Sequence, residues 1–233
     1  MMGLGFCFMN GIPRIDRICN DMACYRLIKH DSLTRHCHNT QLIAAKLLNE
    51  GYTYKQIGEE MLCLHTEKAD NDILAYQAIL EYYYCLDTED YTGQISALAK
   101  IKDECKLSHS IVSYLSMERI YMVITDKIKL WRLLPEDYIA YEEYIFAEKE
   151  RIEELEKYMK MYYIKGDIHM ERIKAVFNAY KELAYGSCER AREKIKNAID
   201  ILKNISCVYS GEKEFCIRQL KLLQEELSVQ MDV

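Results

Sequence analysis

The chain has few of the residues that interrupt regular structure: two prolines, Pro13 and Pro135, and nine glycines in 233 residues. Strand-and-turn proteins need many more, because each tight reversal asks for a fixed or a positive φ. That shortage excludes a sheet protein and leaves long, uninterrupted helices. Long uncharged runs are also lacking. The longest, residues 1–13 and 107–117, fall short of the ~20 apolar residues that a membrane-crossing helix needs. The first of them has neither the basic start nor the cleavage site of a secretory leader. The expectation is a cytoplasmic protein with no membrane contact.

Half of the residues are hydrophobic and 29% are charged, the mixture of a folded globule. Cysteine is plentiful at ten, but the positions show no paired spacing and most fall on apolar helix faces. There a reduced thiol acts as a small hydrophobe, as a reducing compartment allows. The net charge of -6 is concentrated in residues 66–150. His30, His36, His38 and His65 lie in the near-neutral part before it. An acidic middle argues against a nucleic-acid channel along the whole chain, while a small DNA-binding head stays open.

Apolar spacing of three and four recurs nearly throughout and predicts an all-α protein of about ten helices. Ile15, Ile18, Met22 and Leu27 suggest a helix over 14–29, and the polar stretch 30–40 reads as a loop. A short helix from Gln41 ends at Gly51. Thr53 and Gln56 form a capping box that opens a second helix with Ile57, Met61 and Leu62, and a third runs from about Thr66 to Leu86. Two more cover roughly 93–105 and 108–125, the latter with Ile111, Leu115, Ile120 and Val123 as its core face. Pro135 opens a long helix whose seam is Ile145, Ile152, Leu155, Met159 and Tyr162. Asp167 caps the next, with Ile173, Val176, Phe177, Tyr180 and Leu183. Gly186 and Ser187 stop that helix and cap another, with Ala191, Ile195, Ala198, Ile199 and Leu202. Cys216, Leu220, Leu223 and Leu227 mark the last. Loops of two to six residues make the C-terminal half a series of antiparallel hairpins.

Residues 47–61, LLNEGYTYKQIGEEM, combine a helix stop at Gly51, the Thr53 box and a small Gly58. With 65–73, HTEKADNDI, and Ala69 as a buried small residue, the segment 41–77 resembles a helix-turn-helix unit. That resemblance implies a DNA-binding head in which His65, Thr66, Lys68 and Asn71 face the bases and Tyr54, Lys55 and Gln56 approach the backbone. Two features depart from it. The turn at Leu62-Cys63-Leu64 has no glycine, and Glu67, Asp70 and Asp72 place negative charge where phosphates would lie. Residues 175–203, AVFNAYKELAYGSCERAREKIKNAIDILK, carry Ala179, Gly186, Ala191, Ile195 and Ala198 at the spacing of paired helices. This stretch resembles one tetratricopeptide repeat, although Glu182 stands where a large aromatic is usual and no second copy follows at the repeat period.

Chemistry is thinly signalled. Cys19, Cys24, His36 and His38 come near a zinc-ligand set, but the spacing suits two core thiols and a polar loop better. Tyr82, Tyr83 and Tyr84, with Tyr138, Tyr141 and Tyr144, could stack on bases or edge the helix packing with hydroxyls outward. Glu142, Glu143, Glu153 and Glu154 read as a solvated helix face rather than a carboxylate pair tuned for catalysis. Neither a phosphate loop nor a nucleophile elbow is present. The sequence therefore points to a protein without catalysis or cofactor. Its organisation would be a helix-turn-helix-like head over 1–86 and a repeat-like module over 87–233, with a regulatory role in transcription. The competing expectation is a helical scaffold without DNA contact, its partner a peptide, another protein or a second copy.

Overall fold

The computed structural model describes residues 21–64, 66–102, 104–131, 141–185, 187–206 and 209–228. Among them are α1 (Asp21–His30), α2 (Ser32–Asn49), α3 (Tyr54–Ile57), α4 (Glu59–Leu62), α5 (Asp72–Asp87), α6 (Tyr91–Ala99), α7 (His109–Trp131), α8 (Tyr141–Tyr162), α9 (Ile168–Ala184), α10 (Cys188–Asn204) and α11 (Ser210–Ser228). A single 3₁₀ turn, Glu104–Lys106, lies between α6 and α7. No strand occurs among the described residues, so the all-α expectation stands. The chain divides into two compact units. One holds Met1–Leu115 with Tyr209–Glu212, the other Ser116–Val208 with Lys213–Val233. The sequence suggested a boundary at 86/87. Leu86 and Asp87, however, are the last two residues of α5, which packs on α6. The Asp72 carboxylate also accepts the Ser108 N–H at 2.8 Å, tying the start of α5 to the entry of α7.

The first unit is built around α5. Its sequence, DILAYQAILEYYYCLD, has no polar face, and a helix apolar all round has to be enclosed. α2, α3, α4 and α6 pack against it, and Ala75, Ala78, Ile79, Tyr82 and Tyr83 are buried. Of the tyrosines expected at the edge of the packing, Tyr82 and Tyr83 are thus core residues, with the Tyr54 and Tyr83 rings 5.1 Å apart, and Tyr84 is half-buried; Tyr138 and the side chains of Tyr141 and Tyr144 lie outside the described residues.

Three local expectations for this unit are corrected. Residues 30–40 are not a loop: α2 begins at Ser32, capped by Asp31, which accepts the N–H groups of Leu33 and Thr34 at 3.1 and 3.0 Å. Its buried positions, Thr34, Cys37, Thr40, Ala44 and Leu48, step by three and four, so threonine and cysteine hold places where aliphatic residues were sought. The second helix is two single turns, because Gly58 at φ 96° breaks it between α3 and α4. The third begins at Asp72 rather than Thr66, with Asn71 as its cap.

The irregular stretch between α4 and α5 has few helical partners for its backbone, and such groups must be paired when buried. Buried polar side chains of α5 pair them. Gln77 Nε2 donates to the Leu62 carbonyl at 2.8 Å, and the Glu81 carboxylate accepts the Leu64 N–H at 2.9 Å. Lys100 Nζ bridges Glu81 (2.7 Å) and the Leu64 carbonyl (2.7 Å). Asp87 accepts the Lys55 N–H at 2.7 Å. Three of the carboxylates in the middle of the sequence, Asp72, Glu81 and Asp87, are spent inside the fold.

In the second unit α9 takes the corresponding place. Asp167 caps it as expected, accepting from His169 and Met170 N–H at 3.0 Å. Ile173, Val176, Ala179, Tyr180 and Leu183 are all enclosed, and α8 and α10 pack on it. Ser187 caps α10; Gly186, the expected stop, is outside the described residues, as are the Pro135 helix opening and Ile15 and Ile18. The buried stripe of α10 is Ala191, Ile195, Ile199 and Leu202, with Ala198 only half-buried. On α7, Ile111, Leu115 and Ile120 are buried as expected, while Val123 is exposed and its neighbour Ile124 is buried in its place. The short α9–α10 connection with packing along both helices makes the pair antiparallel. Replacing Ala191 with Phe should therefore destabilise the fold by about 1–3 kcal/mol through overpacking. Phe at half-buried Ala198 should cost less, and Phe at exposed Lys196 almost nothing. Thermal melts of the three variants test this order, and equal tolerance at 191 and 196 would mean the stripe is misassigned.

Candidate functional site

The residues proposed to meet DNA do not share a surface. Tyr54 is fully enclosed, its hydroxyl donating to Glu212 Oε1 at 3.2 Å. Gln56 is exposed and accepts the Thr53 N–H at 2.8 Å, one half of the capping box, while Lys55 is exposed beside it. Asn71 is the cap of α5: its Oδ1 accepts from Ile73 and Leu74 N–H at 3.1 Å, and its Nδ2 donates to Thr34 Oγ1. Thr66 is half-buried and Lys68 is exposed, pairing with Asp70 at 3.7 Å. His65 lies outside the described residues. The element cast as the recognition helix, α5, has only Tyr76 and Tyr84 outside the buried class.

Of the zinc candidates, Cys19 lies outside the described residues. His36 and His38 both stand on α2, two positions apart and hence on different sides of the helix. No group of three metal-ligating side chains gathers among the described residues. Cys24, Cys37, Cys63, Cys85, Cys188 and Cys216 are not joined in disulfides. Burial, helped by the nearby Cys63 and Asp90, pushes the Cys85 thiol up to about 12, away from thiolate chemistry at neutral pH. Among the carboxylates considered for catalysis, Glu153 and Glu154 are exposed on α8, and the side chains of Glu142 and Glu143 lie outside the described residues.

The second unit contains a polar cluster that the sequence did not announce. Arg172 on α9 and Glu118 on α7 are both completely buried, with Nη2 2.7 Å from each carboxylate oxygen. The guanidinium lies 4.1 Å from the Tyr121 ring centroid and 5.4 Å from that of Phe215. Burial pushes the Tyr121 hydroxyl up to about 12. Cys216 Sγ is 3.8 Å from His169 Nδ1 beside them. A pair this enclosed holds helices in register, and offers a substrate no approach. The only hint in the sequence was a lone arginine on the apolar side of a helix stripe.

The accessible feature of the first unit is different in kind. Between α2 and α5 runs an open groove of about 200 Å³, lined by Leu42, Ala45, Leu48, Tyr76, Leu80 and neighbouring polar residues. Gln41 on its wall is committed to the fold, donating to the Ile73 carbonyl at 2.7 Å. Glu212 is committed through Tyr54. What the groove presents is therefore mostly hydrocarbon. Leu42 is 59% exposed and Ile43 beside it 49%. No helix among the described residues is long and apolar enough to cross a membrane. Comparison with family models, with curated proteins and with solved structures finds no match for this chain.

Proposed function

We propose that the chain is a non-catalytic helical module that binds another protein through the outer side of α2, and that it makes no contact with DNA. The observation that carries this reading is the apolar groove along α2 and α5, with Leu42 left more than half exposed at its edge. A large aliphatic residue held in water beside an open apolar groove gains free energy when a partner covers it. Two further features favour this over the helix-turn-helix reading. α5 has almost no free face to lay in a groove of DNA, and the exposed cation nearest to it in sequence, Lys68, already faces Asp70. Ala179 and Ala191, both enclosed in the α9–α10 pair, support a scaffold.

The test compares the full chain with a Leu42→Glu variant, each immobilised and exposed to an extract of native proteins. A stoichiometric partner retained by the first and lost by the second is the expected result. Retention of nothing, or of the same proteins by both, would overturn the reading. A duplex-DNA mobility shift at low salt that disappears in Lys68→Glu would restore the DNA-binding alternative.

A further inference from the structure

The second unit carries a surface separate from the α2 groove, the outer side of α8. Ile152 and Met159, seven residues apart, are buried and mark the side that packs on α9. At about 100° per residue the side turned away from them holds Glu150, Glu154, Lys157, Tyr158 and Met161, all exposed. Met161 is 64% exposed and Tyr158 49%, so two large apolar side chains one turn apart are left in water. The charges around them are sorted by sign along the helix. Glu150, Glu153 and Glu154 precede the half-buried Leu155, Lys157 and Lys160 follow it, and all five are exposed. The residues of opposite sign in this stretch are committed within the chain: Glu156 pairs with Lys181, and Arg151 has a partner too. Among the described residues no ion pair within the chain engages the five exposed charges, and Lys160 acts on Glu156 only at longer range.

We propose that the chain forms a reversible dimer in which the outer sides of two copies of α8 pack antiparallel about a twofold axis level with Leu155. A twofold contact sets one patch against the same patch of the other copy. Parallel helices would put glutamate on glutamate and lysine on lysine, which is repulsive. The antiparallel arrangement instead sets Glu153 of one copy level with Lys157 of the other and Glu150 level with Lys160, each pair occurring twice. These four residues share one flank of the outer side, where opposite charges fix the orientation of a helix pair. Met161 and Tyr158 supply the apolar contact along the middle and the other flank. The net charge of -6 opposes association of whole chains, but salt at physiological strength screens that repulsion beyond ~8 Å, whereas the facing pairs lie in contact. The stretch from Glu150 to Met161 is only about 16 Å long, so the interface is small and the dimer weak, with a dissociation constant in the micromolar range or above. The proposal does not depend on the α2 groove.

The experiment is sedimentation of the full chain from micromolar to near-millimolar concentration, at low and at high salt, with each variant first checked by thermal melt. A dimer that grows with concentration and weakens as salt rises is the expected result. Met161→Glu should raise its dissociation constant at least about tenfold, because it puts a charge in the apolar part of the contact. Lys157→Glu with Lys160→Glu should weaken self-association, and so should Glu150→Lys with Glu153→Lys. Mixed in equal amounts, these two double variants should form a heterodimer at least about tenfold tighter than either homodimer. Leu42→Glu should leave dimerisation unchanged. A chain that stays monomeric at every concentration, a dimer indifferent to Met161→Glu or lost in Leu42→Glu, or two charge variants that do not associate on mixing would each overturn the proposal.

Discussion

Glu118→Gln is expected to lower stability by about 3–5 kcal/mol, the cost of leaving a buried charge without its counter-charge. Neither member of the Arg172–Glu118 pair has any exposed side-chain surface. The guanidinium cannot turn to water when the carboxylate goes, and the Tyr121 and Phe215 rings beside it replace only a small part of the lost attraction. Arg172→Met should be comparably harmful because it strands the carboxylate. The informative variant is the double one. Glu118→Leu with Arg172→Met removes both charges, so it should lose less stability than either single change. Urea denaturation of the parent, Glu118→Leu, Arg172→Met and the double variant measures the cycle. Singles costing under about 1 kcal/mol would place the pair in contact with water.

Gly211→Ala should be nearly as damaging, by about 3 kcal/mol, for a purely steric reason. A Cβ at Gly211 would lie 2.0 Å from the Tyr52 carbonyl oxygen, 2.8 Å from its carbon and 3.1 Å from the Leu48 carbonyl oxygen. All three atoms are backbone, at the end of α2 and the turn after it, and none can rotate away. Gly58 is the useful contrast. It has φ 96° but open space around its missing Cβ, so alanine there meets only backbone strain of roughly 1–3 kcal/mol. Guanidinium melts would separate the two cases, and a harmless Gly211→Ala would show that α11 does not start against this turn.

How legible the fold was depended on how each helix advertises itself. α9, α10 and α11 were readable because each has one apolar stripe and a cap or stop in the expected place: Asp167, Ser187, and the break before Cys216, Leu220, Leu223 and Leu227, all four of which are buried. The first half of α2 was concealed by composition, whereas its second half, from Gln41, was read as a helix. His36, His38 and Asn39 sit beside a stripe whose inward members include Thr34, Cys37 and Thr40, so hydrophobicity alone missed it. The signal that could have revealed it was Asp31 followed by a helical step of three and four. The helix-turn-helix resemblance cast as its recognition element a helix, α5, that lies at the centre of its own unit. In α5 the warning was visible as an apolar sequence with no polar side. The groove along α2 was not legible, because it depends on which side chains of two separate helices come together.

The position of Gly211 has a consequence for how the protein is made. Residues 209–212 belong to the first unit although they follow most of the second in the chain. A polypeptide leaving the ribosome from its N-terminus usually folds unit by unit in order of synthesis. Here the first unit must wait, lacking the turn that covers Leu48 and Tyr52, until the bulk of the second has already emerged. Nascent chains halted before residue 209 should accordingly be more readily cleaved near the end of α2 than those halted after α11 is complete.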